Sequence, residues 1–486
     1  MTQLGKLKPS GIWKYFEEIT KIPRPSKQEE KMIAYVTEFA KSHKLSFKKD
    51  ATGNVLIKKP ASPGYEKRQT VCLQSHLDMV CEKNSNSLHN FETDPIRVIV
   101  DNEWVKAEDT TLGADNGIGV AAQLSLLADS EAKHGPIECL FTIDEETGLN
   151  GAMGLETNFF DARILLNLDS EDEGELFIGC AGGMNTVATI KYNTRHSPEK
   201  SSAFRIEVTG LQGGHSGTDI HKNRGNSIKI LNQFLWEIRN RFSARLSIFE
   251  GGNLRNAIPR EAYAIIVIPD THKEVFIDYF RDYTRLLLPG FVADEPGLQI
   301  NMLPVPVPEN VLKKKVQEKL LNSLYACPHG VISWSRVIND LVETSTNLAS
   351  IKFEGMNRIV ISTSQRSSVN TEKIQIGNRV KSTFKLAGAL VQQTEGYPGW
   401  NPNPTSAILN ITVDSYKRLF GVDPAVKAIH AGLECGLFLE KYPWLDMISF
   451  GPTILDPHSP SERINIKTTE KFWLLLLDVL KNIPSE

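Results

Sequence analysis

Ser75-His76-Leu77-Asp78 sets an imidazole and a carboxylate two residues apart, at the end of the alternating run Thr70-Val71-Cys72-Leu73-Gln74. Alternation predicts a buried strand. A strand repeats every two residues, so His76 and Asp78 leave it on the same side. The pair suits a metal site: one ring nitrogen of His76 binds the ion while Asp78 accepts the other N–H and fixes the tautomer. It also suits an ordinary His–Asp hydrogen bond at a strand end. Other ligand-type side chains at other strand ends would decide between the two. Residues 137–143 are a second apolar run, ending in Asp144-Glu145-Glu146-Thr147-Gly148. Acid clusters are often solvated surface, but this one closes a buried strand and meets a glycine, where α/β proteins hold ligands. Adjacent side chains diverge, so one of Glu145 and Glu146 can bind a metal while the other handles a proton. Residues 164–168 form a third run, ending in Asp169. Asp115 stands in a glycine-rich turn, residues 111–119, before a helix of small and apolar residues; taken alone, an Asp-Asn-Gly stretch reads first as a plain Asp turn or cap. That turn is no phosphate loop, because it lacks the Walker lysine and the dinucleotide spacing.

Elements of two kinds must position these groups. Ser26-Lys27-Gln28-Glu29 reads as a capping box, opening a helix with Met32, Ile33, Tyr35, Val36 and Phe39 at helical spacing. Strands then alternate with helices, which predicts an α/β domain: a mainly parallel sheet with helices on both faces. Ligands in such sheets gather at the strands' carboxyl ends. Near residue 187 the pattern changes. A strand at 204–208, a glycine-rich stretch holding Gly213-Gly214-His215-Ser216-Gly217, a helix near 225–239, strands at 245–249 and 262–268 and a helix near 273–287 suggest an inserted α+β sandwich. Strands at 331–337, 350–353 and 358–364, a helix near 371–386 and a strand at 389–393 suggest a second one. The first style returns after about residue 394, with a helix expected from Asp423-Pro424-Ala425 through Ala431, a buried strand at 447–450 and a final helix from near Thr468. His458, between two prolines, reads locally as a surface histidine. The expected organisation is a catalytic domain in two segments, 1–187 and 394–486, interrupted by a double lid at 188–393.

Bulk properties narrow the function classes. The chain has 486 residues, too many for one core. Its 41% apolar and 23% charged content is that of a soluble globular protein. A net charge of -3 gives no electrostatic case for nucleic acid. The six cysteines are scattered without a Cys-x-x-Cys pair, which fits a reducing cytoplasm. Residues 1–8 are polar and no apolar run of signal-peptide type follows. None approaches the ~20 residues that span a bilayer.

Histidine with aspartate and glutamate suits zinc, and also cobalt or manganese. A bridging carboxylate can hold two such ions ~3.5–4 Å apart, where they acidify a shared water and polarise a carbonyl. A carboxylate outside the ligand set then serves as general base and later acid; Glu145, beside Glu146, is the natural candidate.

These pieces resemble the M20 family of di-zinc peptidases, and within it the aminoacyl-histidine dipeptidase branch. The likeness is carried by Ser75-His76-Leu77-Asp78, Gly113-Ala114-Asp115-Asn116-Gly117, Asp144-Glu145-Glu146-Thr147-Gly148, Asn167-Leu168-Asp169-Ser170-Glu171, Gly213-Gly214-His215-Ser216-Gly217 and Asp456-Pro457-His458, in family order over almost the whole chain. His89-Asn90-Phe91 and Asp94-Pro95-Ile96 resemble the dipeptidase branch. The resemblance implies that His76 and Asp169 bind one zinc ion, Glu146 and His458 another, and that Asp115 bridges them. It implies that Asp78 orients His76 and that Glu145 is the general base and acid. Aspartate at position 169 goes with dipeptidases and aminopeptidases, where carboxypeptidases and aminoacylases tend to carry glutamate. The insert resembles the family's lid, with His215 stabilising the oxyanion, Asn256 and Arg366 gripping the substrate carboxylate, and Gly432 giving a backbone contact. Because the insert is about twice the usual size, its halves are expected to imitate a subunit pair, so that His215 acts within its own chain; a homodimer through another surface stays open. The implied function is metal-dependent hydrolysis of dipeptides, Xaa-His dipeptides in particular, in the cytoplasm, with neither nucleic acid nor membrane as partner. The alternatives are a tripeptide aminopeptidase or an N-acyl amino acid deacylase of the same family, or a metal-free binding protein on the same scaffold.

Overall fold

The computed structural model describes residues 4–355 and 357–485. The chain forms two compact units. The first runs to Cys180 and adds Trp400–Ala428 and the segment from Leu433; the second is Ala181–Gly399 with Ile429–Gly432.

The first unit is built on a mixed eight-stranded sheet, ordered Ser46–Lys49, Val55–Lys59, Ile137–Thr142, Val71–His76, Ile164–Asn167, Asp446–Ser449, Glu175–Cys180 and Ala425–Ile429. Its four central strands are parallel: Val71–His76 pairs with Ile137–Thr142 and with Ile164–Asn167, which pairs in turn with Asp446–Ser449. Antiparallel strands flank them. Val71–His76 and Ile137–Thr142 are buried at every position, which is why both read as near-continuous apolar runs. Parallel pairing brings the ends of these strands to one edge, so His76 and Thr142 are register partners and the acids after Thr142 emerge beside His76.

Two local expectations fail. No capping box forms at Ser26, because its hydroxyl donates to Asp78 Oδ2 at 2.8 Å while Glu29 Oε1 accepts the N–H of Lys27 and of Asp144. The helix begins at Glu30. The segment after Asp423-Pro424 is the strand Ala425–Ile429 and not a helix. The preceding helix, Ala407–Phe420, stops at Gly421 in the left-handed conformation, and the chain then adds an edge to the sheet.

The second unit centres on one large sheet whose path runs Gln299–Val305, Ser201–Thr209, Ala262–Pro269, Arg245–Gly251, Val342–Glu354, Arg358–Ser367, Gly182–Lys191 and Leu390–Gln393, with Gly330–Trp334 also pairing to Val342–Glu354. The two β/α halves expected there join edge to edge where Gly251 meets Ile351. The helices Ser227–Arg241, Lys273–Leu287, Lys314–Ala326 and Asn370–Leu386 supply apolar faces to a shared core that includes Phe234, Phe276, Leu320 and Phe384. Among the described residues no helix is long and apolar enough to cross a membrane.

Candidate metal centre

Strand ends and one turn of the first unit bring the sequence-predicted ligands together. His76 is 1% exposed. Its Nε2 lies 3.1 Å from Asp115 Oδ1 and 3.4 Å from Asp169 Oδ1. On the other side of the ring, Nδ1 lies 3.3 Å from Asp78 Oδ1, an ion-pair contact and not a well-aligned hydrogen bond. His458, a half-exposed loop residue, points its Nε2 at Asp115 Oδ2 and at Glu146 Oε2, each at 3.1 Å. One carboxylate, Asp115, thus faces both imidazoles, one through each oxygen. His76, Asp115 and Asp169 form one group of potential metal ligands and Asp115, Glu146 and His458 another, the donor atoms of each lying within 4.8 Å of one another.

Asp78 holds this edge in place. Besides facing His76 it accepts the backbone N–H of Glu145 at 3.1 Å and of Glu146 at 3.2 Å. Burial by itself would raise its pKa, but its contacts with His76, the Ser26 hydroxyl and the Glu145 N–H outweigh that and bring it down to about 2. Burial pushes the Glu145 carboxyl well up, with His76 opposing and Asp169, Glu146 and Glu434 adding to the rise. Glu146 is raised by burial and by Asp115, against the pull of His458 and His76. Asp169 is also raised, chiefly by burial, and accepts a short hydrogen bond from Asn116 Nδ2.

The donor chemistry fits divalent cations. Asp78, Asp115, Glu145, Glu146 and Asp169 crowd two imidazoles. Glu146 Oε1 is buried with no hydrogen-bond partner. The buried Arg24 guanidinium offsets part of the charge on Asp78 and Asp115, and carboxylates packed this closely are further stabilised by bound metal, whose charge then dominates the local electrostatics.

Beneath the ligands lies a buried polar layer that local sequence reading missed. Glu434 is fully buried and accepts from Gln74 Nε2 at 2.5 Å and Thr142 Oγ1 at 2.8 Å. Burial lifts its carboxyl to about 8. Gln74 Oε1 accepts from Asn167 Nδ2 at 2.6 Å, and Asn167 Oδ1 from the Ser449 hydroxyl at 2.5 Å, so side-chain amides cross-link the parallel strands under the site. The available signal was the run of polar residues, Gln74, Thr142 and Asn167, at the ends of otherwise apolar strands.

The second unit gathers the remaining candidates. His215, in the short strand Gly214–His215, pairs with Ala257, and Ser216 N–H donates to the Asn256 carbonyl at 2.7 Å. Asn347 Nδ2 pins the same loop by donating to the carbonyls of Arg255 and Ala257. Arg366 is nearly buried; its Nη2 lies 3.4 Å from His215 Nε2 and its Nη1 donates to the Tyr397 hydroxyl at 3.2 Å. Gly432 abuts the same Tyr397, and a Cβ there would meet the ring at 2.9 Å. His215, Asn256, Arg366 and Gly432 therefore belong to one neighbourhood.

Comparison with known proteins agrees with this picture. The model of Peptidase family M20/M25/M40 matches residues 72–482. The chain is 41% identical over 486 residues to the cytosol non-specific dipeptidase of Escherichia coli (strain K12), covering 100% of both proteins. It superimposes on the crystal structure of aminoacylhistidine dipeptidase from Vibrio alginolyticus with a TM-score of 0.92 and 42% identity, over 100% of this chain and 99% of that one. The aminopeptidase PepT of Bacillus cereus, at 15% identity, TM-score 0.58 and coverage of 98% and 99%, shares the fold. With a full-length relative and a family match over most of its length, the chain belongs to peptidase family M20/M25/M40, as a metallopeptidase.

Proposed function

We propose that this protein hydrolyses dipeptides, Xaa-His dipeptides among them, at a pair of divalent ions, zinc by donor chemistry. The observation that carries the reading is Asp115, whose oxygens each stand 3.1 Å from a different imidazole nitrogen. His76, Asp115 and Asp169 would hold one ion; Asp115, Glu146 and His458 would hold the other. When bound, the ions supply Lewis acidity to the scissile carbonyl and to the attacking water. Asp78 keeps the His76 ring oriented so that Nε2 stays directed at the ligand carboxylates. Glu145 takes a proton from the water and passes it to the leaving amine, a task suited to a carboxylate whose burial strengthens it as a base. Its main chain is fixed by the N–H donated to Asp78, so the base and the ligand histidine share one anchor. Arg366 is assigned the substrate carboxylate, which its planar guanidinium can bind through two hydrogen bonds. His215, with Asn256 in the adjoining loop, is assigned the carbonyl oxygen as it gains charge.

The dipeptide preference follows the relatives named cytosol non-specific dipeptidase and aminoacylhistidine dipeptidase. A cytoplasmic location follows the first of those names and agrees with the six free cysteines. The test is elemental analysis of the purified protein together with turnover of Xaa-His dipeptides, other dipeptides, a tripeptide and an N-acetyl amino acid, before and after chelation. Chelator-sensitive turnover confined to dipeptides is expected. Faster turnover of the tripeptide or the N-acyl compound would reassign the substrate, and a metal-free protein inert on the whole panel would sink the hydrolase reading.

A further inference from the structure

Two buried charged side chains outside the ligand set converge on the turn that carries Asp115. Glu462, 2% exposed, spends both oxygens on consecutive backbone N–H groups. Oε2 accepts from Leu112 at 2.7 Å and Gly113 at 2.9 Å, and Oε1 from Ala114 at 2.7 Å and Asp115 at 3.3 Å. These four consecutive N–H groups belong to the irregular turn that precedes the regular part of the helix ending at Ala128, since Asp115 and Asn116 are themselves non-helical, and together they favour a carboxylate. Arg24, also 2% exposed, works on the carbonyls. It donates to Gly113 O at 2.5 Å, to Leu77 O at 3.0 Å and to Asp78 O at 2.7 Å. Gly113 therefore has its N–H held by Glu462 and its C=O held by Arg24.

This arrangement accounts for the glycine spacing in Gly113-Ala114-Asp115-Asn116-Gly117. A Cβ at Gly113 would lie 2.5 Å from Arg24 Nη2, and one at Gly117 would lie 2.7 Å from it. Gly113 also has φ +71°, which disfavours any other residue. The glycines make room for a guanidinium. The same contacts join three stretches of chain. Arg24 ties the His76–Asp78 strand end to the Asp115 turn, and Glu462, four residues beyond His458, ties that turn to the His458 loop.

We infer that Arg24 and Glu462 are positioning residues that set the aim of Asp115 between the two ligand groups, and so set the affinity of both groups for divalent metal together. The inference rests on the metal reading given above. Because Asp115 is shared, loosening its turn weakens both groups, whereas loss of a ligand private to one group weakens that group alone.

The experiment is calorimetric titration of the metal-stripped full-length protein with zinc, comparing wild type, Glu462→Gln, Arg24→Lys and His458→Ala, with circular dichroism of each metal-stripped protein. Glu462→Gln keeps the shape but turns an amide toward N–H groups. Arg24→Lys keeps the charge but not the fork of donors. Each is expected to keep the wild-type dichroism and to lose about 10–100-fold in affinity, the usual effect of removing a group that orients ligands, in both binding events. His458→Ala is expected to lose one event only. Folded variants with wild-type affinity, or with a loss confined to one event, overturn the inference. If Glu462→Gln fails to fold, Glu462→Asp takes its place; if no variant at either position folds, the pair determines the fold and the inference is likewise overturned. A wild-type protein that takes up no zinc sinks the metal reading itself and is told apart by that control.

Discussion

Asp78 reaches His76 Nδ1 with Oδ1 at 3.3 Å while the same oxygen receives the N–H of Glu145 at 3.1 Å. One carboxylate thus touches both the ring that faces Asp115 and the backbone N–H of the proposed base. Replacing it by asparagine preserves volume but offers an amide that can donate toward His76 as readily as accept from it. Asp78→Asn is expected to lower metal affinity about 10–100-fold and to lower kcat as well, because the Glu145 backbone loses a charged acceptor. Parallel zinc titration and steady-state kinetics check this; unchanged affinity would show that His76 is oriented by something else.

Glu145 has a different signature. It lies beside the ligand groups, and a second unit of chemistry depends on its proton. Glu145→Gln is expected to keep full metal content while kcat on a dipeptide falls about 10²–10⁴-fold, the range for loss of a general acid–base group. Metal content by elemental analysis and kcat on the same preparation separate this from a ligand, whose loss would lower both.

How far these residues could be read from sequence depends on the range of the forces that place them. The two-residue spacing of His76 and Asp78 is a local property of a strand, and the acids after Thr142 follow from where a buried strand must stop. Parallel register then does the rest, since His76 and Thr142 are partners. His458 has no such local mark; only family likeness pointed to it before the structure showed it facing Asp115. Arg24, in Pro23-Arg24-Pro25, and Glu462, in Pro460-Ser461-Glu462, look like surface charges because their partners are backbone groups 53 to 89 and 347 to 350 residues away. Ser26 and Glu29 have the spacing of a capping box, but Asp78 and the Asp144 N–H compete for their side chains and win. After Asp423-Pro424, a helix-start signal gave way to an edge strand, where backbone pairing with the sheet outweighs a weak local preference.

Arg366 is the candidate anchor for a free carboxylate. Lysine keeps the charge but loses the planar pair of donors and the bond to the Tyr397 hydroxyl. Arg366→Lys is expected to reduce kcat/KM for a dipeptide about 10–100-fold, in line with the worth of a hydrogen bond to a charged group, and to leave turnover of the corresponding dipeptide amide nearly unchanged. An equal loss on acid and amide would mean that Arg366 does not read the carboxylate.

His430 gives the second unit a pH-dependent stability that can be measured without any substrate. It is 6% exposed, and its Nε2 lies 2.7 Å from the Ser345 hydroxyl. Burial, reinforced by the nearby Arg366 guanidinium, lowers its pKa from 6.5 to about 3. The unfolded chain therefore binds a proton at this position that the folded one refuses between those values. The stabilisation is complete above pH 6.5 and declines as pH falls toward 3, where folded His430 is itself protonated. At about pH 4.5 the loss amounts to roughly 2–3 kcal/mol. Glutamine can still reach Ser345 but cannot take up the proton. Denaturant unfolding of wild type and His430→Gln at neutral pH and at about pH 4.5 should give a smaller acid-induced loss for the variant, by roughly that amount. Equal losses in the two proteins would mean that His430 carries its proton in the folded state, and that the Arg366 neighbourhood tolerates a second positive charge.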